Sequence, residues 1–194
     1  MQTIPLFPLN TLLFPAVPLS LQIFEPRYLD MISGCMKRGE GFGVVPIREG
    51  REVGEIPQFF PVGVYVQIED WHPQDNGLLG VVVRGERKFK VMQTFSQPDM
   101  GLSAEVVFLP QEPVLEIGLH HDGLVALVEQ LREHPAVKGL NLPELVDARH
   151  LGWQLTQLLP ISRPDKVALL EMSDPLLRLD HLAERIERLA AGEE

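Results

Sequence analysis

Apolar residues follow two different rhythms along this chain, one of period two and one of helical period. From Ile4 to Val17 the sequence is apolar but interrupted by Pro5, Pro8 and Pro15. Proline lacks the N–H and fixes φ, so this stretch is expected as extended chain at sheet edges or bulges. Pro18 to Phe24 alternates, with Leu19, Leu21 and Ile23 on one face, and predicts a strand. A helix is predicted next, because Pro26 suits a first turn and Leu29, Ile32, Cys35 and Met36 recur at helical spacing until Gly39 stops it. The runs Phe42 to Ile47, Phe60 to Ile68, Leu78 to Arg84, Lys88 to Phe95 and Leu102 to Leu109 then read as short strands. Gly50, Pro57, Pro73, Asp75-Asn76-Gly77 and Gly85-Glu86 punctuate them as turns, at intervals suited to a small barrel closed on itself.

Past Pro110 the rhythm becomes helical. Ile117 to Arg132 carries Leu124, Leu127, Val128 and Leu131 on one stripe and is ended by Pro135. A second helix is predicted from about Pro143 to Leu159, with Leu145, Val146, Leu151, Leu155, Leu158 and Leu159 as its buried side. Ser162 and Asp165 resemble a capping box that opens a third, and Asp174-Pro175 opens a last one along Leu179, Leu182, Ile186 and Leu189. The expected fold class is α+β: a β-rich pseudo-barrel domain with one helix over residues 1–112, then an α-helical bundle domain over residues 113–194.

Charge sharpens the division. The 194 residues carry a formal charge of −10, and residues 111–194 hold 8 basic against 15 acidic side chains. Such a balance argues against general affinity for nucleic acid or anionic membrane. No apolar run approaches the ~20 residues of a membrane span, and the N-terminus has no charged segment ahead of an apolar core. The single cysteine, Cys35, excludes an internal disulfide and fits a reducing cytoplasm.

Catalytic chemistry is hard to find. There is no phosphate-binding Gly-x-x-x-x-Gly-Lys-Ser/Thr loop, and Gly39-Glu-Gly41-Phe-Gly43 reads as a helix stop and turn. The histidines at 72, 120, 121, 134, 150 and 181 lack metal-ligand spacing; the pairs Asp147/His150 and His181/Glu184 each read as contacts on one helix face, and no metal or other cofactor is expected. Ser162 and Lys166 stand one turn apart, but a helix cap is a sufficient role for Ser162, and Cys35 lies on an apolar stripe. One basic cluster remains, Arg84, Arg87, Lys88 and Lys90, where alternation puts Lys88 and Lys90 on one face and Arg87, Phe89 and Val91 on the other. Basic residues beside an aromatic can hold single-stranded nucleic acid, so an RNA-binding module is the alternative reading. A solvated hairpin with Phe89 inward is the plainer one.

The segments Pro5 to Pro15 and Pro18 to Tyr28, the latter with Phe24-Glu25-Pro26-Arg27-Tyr28, resemble the opening of the N-terminal substrate-binding domain of Lon-type ATP-dependent proteases. Phe42-Gly-Val-Val, Glu52-Val-Gly, Val62-Gly, Gly85 to Val91 and Ala104-Glu-Val follow in that family's order, as does the stretch Arg163 to Glu171 with Asp174 to Leu179. The resemblance implies a PUA-like pseudo-barrel followed by helices. It further implies a stand-alone recognition domain without the ATPase and Ser–Lys protease modules of a full Lon protease, hence no enzyme. Partners implied are unfolded or exposed polypeptide segments and a separate ATPase or protease, in an adaptor role in protein quality control. It also implies a polypeptide-binding surface at Phe24, Glu25, Arg27 and Tyr28. A structural role competes for these residues, with Glu25 favoured at a helix N-terminus and Arg27 or Tyr28 tying helix to sheet. The proline-rich strands around Phe7 and Phe14 are a second candidate surface, although core is the commoner fate of such residues.

Overall fold

The computed structural model describes residues 1–74, 78–96, 101–140 and 142–192. Its residues divide into two compact units, Met1–Pro110 and Gln111–Glu194. Together they make an α+β chain with a β-rich N-terminal sheet and helices.

In the first unit, β1 (Gln2–Leu9) holds two of the prolines without being an edge strand. Gln2 to Leu6 pair with β7 (Leu102–Phe108), and Leu6 to Leu9 pair in parallel with β3 (Phe42–Glu49). Pro5 and Pro8 therefore each sit where β1 has one neighbour, and the missing N–H leaves no ladder position empty on the other side. β5 (Val62–Pro73) and β6 (Leu79–Ser96) complete the path β1-β7-β6-β5-β3, and the β1–β3 pairing closes it into a ring. Closure removes strand edges. Ile4, Leu6, Val45, Phe89, Leu102, Ala104 and Val106 fill its core. The two strands β2 (Pro18–Ile23) and β4 (Gln58–Phe59) attach outside the ring, to β6 and β3 respectively.

Two strands expected on either side of a Gly85-Glu86 turn are one strand, β6. Tyr65 pairs with Arg87 and Val66 with Gly85, so Glu86 is extra and forms a bulge. Gly85 serves close approach: its N–H donates to Val17 O, its carbonyl accepts from Ala16, and a Cβ there would lie 2.4 Å from Phe14 O. The Asp75-Asn76-Gly77 turn lies outside the described residues. Residues 10–17 are not a strand; Phe14 and Val17 are buried there at the bulge.

Helix α1 (Pro26–Arg38) buries Arg27, Tyr28, Ile32 and Cys35 and ends on Gly39, whose φ of 65° is the left-handed cap geometry that glycine adopts without strain. The Cys35 thiol donates to Gly41 O at 3.5 Å, and burial pushes its pKa up, so it is a core residue and a poor nucleophile.

The second unit contains α2 (Asp122–Arg132), the single turn α3 (Pro135–Lys138), α4 (Ala148–Leu158), α5 (Arg163–Glu171) and α6 (Pro175–Ala191). Leu124, Val128, Leu151, Leu155, Leu169, Leu179 and Leu182 meet in its core. Gly118 delays the expected first helix, which opens with a 3₁₀ turn at Leu119–His121. Pro135 does not only end α2; it starts α3 at the position proline favours. The second predicted helix begins five residues late because Asp147 caps it: Asp147 Oδ1 accepts from Arg149 N and His150 N, and Val146 is left 70% exposed instead of buried. Asp147 and His150 do meet as the spacing suggests, His150 Nδ1 lying 3.0 Å from Asp147 Oδ1, with Asp147 as the cap of the helix and His150 in its first turn. Ser162 caps α5 by accepting from Asp165 N, while Lys166 Nζ donates to Gln157 O at 2.9 Å, which removes the Ser–Lys dyad geometry.

The Asp147 cap carries a pH dependence. Burial opposes its charge, but hydrogen bonds from Arg149 and His150 outweigh burial and hold its carboxyl at about 2. A carboxyl depressed in the folded state stabilises above its unfolded value near ~3.9, and the contribution disappears as pH falls from there through about 2. Acid titration of unfolding free energy should show a loss on the order of 2 kcal/mol over that window that Asp147→Asn abolishes. An unchanged acid slope in the variant would refute the assignment.

Candidate functional site

The Phe24-to-Tyr28 signature spans the end of β2 and the start of α1, and its members part ways there. Phe24 stays 54% exposed. Arg27 and Tyr28 are buried, at 6% and 5%. Arg27 Nη2 lies 3.0 Å from Glu25 Oε2 and donates to Glu52 O at 3.4 Å, and its guanidinium stands 4.7 Å from the centre of the Tyr28 ring. The Glu52 carboxylate in turn accepts from Asn10 N. One charged chain thus joins the residue after β1, the loop after β3 and the start of α1. Tyr28 stacks on Phe7 at 4.1 Å between ring centres, and Phe7 meets Phe42 at 6.1 Å, tying α1 to β1 and β3. Burial, helped by Glu25 and opposed by Arg27, pushes the Tyr28 phenol up to about 12. It remains protonated. Phe7 and Phe14 are core, at 6% and 1% exposed.

A groove of about 160 Å³ runs beside this cluster. Its wall includes every residue from Leu19 to Phe24, together with Phe7, Leu9, Glu25, Tyr28 and Glu52. Successive residues of a strand point to opposite faces, so a cavity touched by six in a row runs along the strand's backbone edge. Strand β2 pairs with β6, and among the described strands no other flanks it. Glu52, Leu9 and the edge itself were not legible in the sequence, since spacing cannot show a partner 25 residues from Arg27.

The basic cluster does not converge on one surface. Arg84 pairs with the carboxylate of Glu69, with Nη2 to Oε2 at 3.2 Å, and Arg87 lies over the Phe108 ring at 4.3 Å. Lys88 is buried to 4% and Lys90 is exposed, although alternation places them on the same side. Arg87 and Phe89 do share a side, both meeting Phe108. Among the described residues no helix is long and apolar enough to cross a membrane.

A family model for the ATP-dependent protease La (LON) substrate-binding domain matches residues 3–188. A crystal structure titled as a Lon N-terminal domain protein from Xanthomonas campestris is similar with a TM-score of 0.77 and 30% identity, over 95% of this chain and 98% of that one. The N-terminal domain of a Mycobacterium avium complex Lon protease shares the fold, with a TM-score of 0.66 and 21% identity, over 94% and 97% of the two chains. A curated Lon protease from Parabacteroides distasonis is 25% identical over 131 residues, 66% of this chain but 16% of the relative's length. With its strand ring and following helices matched from residue 3 to residue 188, the chain belongs to the LON substrate-binding domain family.

Proposed function

We propose that this protein is a non-catalytic receptor for unfolded or exposed polypeptide segments, built on a PUA-like pseudo-barrel with a helical bundle after it. The observation that carries the reading is the edge of β2, which has a single strand partner and lies along an apolar groove ending at the half-exposed Phe24. An extended segment laid there gains main-chain hydrogen bonds that ignore sequence, while Leu21, Leu9 and Phe24 supply apolar contact. Folded proteins hide both features, so the surface selects for unfolding. Arg27, Glu25, Glu52 and Tyr28 act as the frame that holds the groove open, and Phe24 is the contact. In this reading an ATP-dependent protease acts downstream, and this domain is the adaptor that delivers to it. The RNA alternative gains nothing from the geometry, because Arg84 is neutralised by Glu69 and Lys88 is buried.

Fluorescence anisotropy with a labelled unfolded reporter and its folded counterpart tests the proposal. The unfolded form should bind preferentially, and Phe24→Asp should weaken it by about tenfold or more, as loss of an aromatic anchor does, with no change in the unfolding midpoint. Equal binding of folded and unfolded reporter, or indifference to Phe24→Asp, would sink the reading.

A further inference from the structure

Folding of the second unit brings together three side chains that the linear sequence keeps apart. His120 and His121 end the 3₁₀ turn ahead of α2, and Asp180 lies on α6, 59 residues beyond His121. A ring nitrogen of each histidine and a carboxylate oxygen of Asp180 lie within 4.8 Å of one another. His121 Nε2 is 2.9 Å from Asp180 Oδ1, and the two imidazoles stand 3.9 Å apart between ring centres.

We propose that His120, His121 and Asp180 form a binding site for a divalent transition-metal cation of the zinc class. Bonds of roughly 2.0–2.2 Å from one such ion to nitrogen and oxygen ligands place neighbouring donors roughly 3 Å apart, the separation that His121 and Asp180 already have. Imidazole with carboxylate is a donor set that suits zinc, nickel or copper more than calcium or magnesium. The parts differ in freedom in a useful way. His121 is 2% exposed, and among the described residues its ring bonds only to Asp180, itself one of the proposed ligands, so no other protein group competes for Nε2. His120 is exposed and can rotate to close the remaining gap, and Asp180, with its side chain 56% exposed, accepts only from His121 among the described residues. A second imidazole–carboxylate pair among the described residues of the unit is unlike it: Asp147 is saturated by Arg149 and two backbone N–H groups as well as by His150.

Three protein ligands leave one position of a tetrahedral ion to water, so the site binds reversibly and clips the start of α2 to α6. This goes beyond polypeptide recognition and does not depend on it, since every ligand belongs to the helical unit and none lines the β2 groove.

Isothermal titration of the metal-free full chain with Zn²⁺ tests it. The expected result is one site of micromolar affinity that raises the thermal midpoint, with His120→Ala and Asp180→Asn each weakening binding by about tenfold or more. Both residues are exposed, so the variants should keep the metal-free unfolding midpoint of the parent, which separates ligand loss from misfolding. His72→Ala, in the sheet unit, should bind like the parent. No heat of binding up to millimolar Zn²⁺, binding indifferent to the first two substitutions, or equal loss in His72→Ala would overturn the site.

Discussion

Replacing Arg178 with alanine is expected to remove about 3–5 kcal/mol from the stability of the helical unit. No part of the Arg178 side chain reaches solvent. Its Nε donates to Leu169 O at 3.2 Å, Nη2 to Met172 O at 2.8 Å, and Nη1 to Glu112 Oε2 at 3.1 Å, while the Glu112 Oε1 contact completes a bidentate pair. The guanidinium carbon lies over the Trp153 ring, 3.3 Å from its centre. Burial pulls its pKa down from the usual arginine range and Glu112 resists, which is the signature of a charge held in a dry site by its partner. Alanine strips the C-terminal carbonyls of α5 of their donor and takes the guanidinium from a carboxylate only 6% exposed. It also leaves a void beside Trp153. The thermal midpoint should fall on the order of 15 °C for a unit of this size. Trp153 fluorescence in a Trp71→Phe background reads that transition. Because the pair's own desolvation is costly, Arg178→Met combined with Glu112→Gln should recover much of the loss. A single substitution that costs under ~1 kcal/mol would mean that the pair is ornamental to the fold.

In the sheet unit, Gly41→Ala should be the most damaging one-carbon change. A Cβ at Gly41 would lie 1.8 Å from Val66 O and 2.9 Å from Tyr65 Cζ, and backbone of this kind cannot step aside. The same residue donates its N–H to the Tyr65 hydroxyl at 2.7 Å and accepts from the Cys35 thiol, so moving it breaks the seam between α1 and β3. Overpacking against backbone with lost hydrogen bonds predicts roughly 3 kcal/mol or more of destabilisation. Gly123→Ala is the control: nothing lies within 4 Å of a Cβ there, and in α2 it should gain up to about 1 kcal/mol. Denaturant midpoints compare the two, and a Gly41→Ala protein within ~1 kcal/mol of the parent would show that the sheet can open at that point.

Much of this fold is written locally, and the rest depends on residues that meet only after folding. The alternation of Leu19, Leu21 and Ile23 and the stripe through Ile32 and Cys35 appear as strand and helix because periodicity is a property of neighbours. Gly85-Glu86 looked like a turn because glycine signals both a chain reversal and a place where another backbone approaches, and the approaching residue, Phe14, is far away in sequence. Val146 looked like core because its hydrophobicity outvoted the Asp147 cap next to it. In the groove, Phe24 and its signature neighbours stand out in the sequence, but Glu52 enters through a loop that spacing does not connect to them. His120 and Asp180 share that fate: their meeting depends on how α6 packs.

The ring's closure also sets a timetable for synthesis. Gln2, at the start of β1, pairs with Val106 on β7, so the first strand of the unit to be synthesised bonds to the last. At ~5–20 residues per second the intervening chain takes roughly 5–20 s to appear, and until then Gln2 to Leu6 of β1 lack their partner strand, although Leu6 to Leu9 can already pair with β3. A nascent chain stalled before β7 should therefore be a chaperone client, and one released after it should close without help.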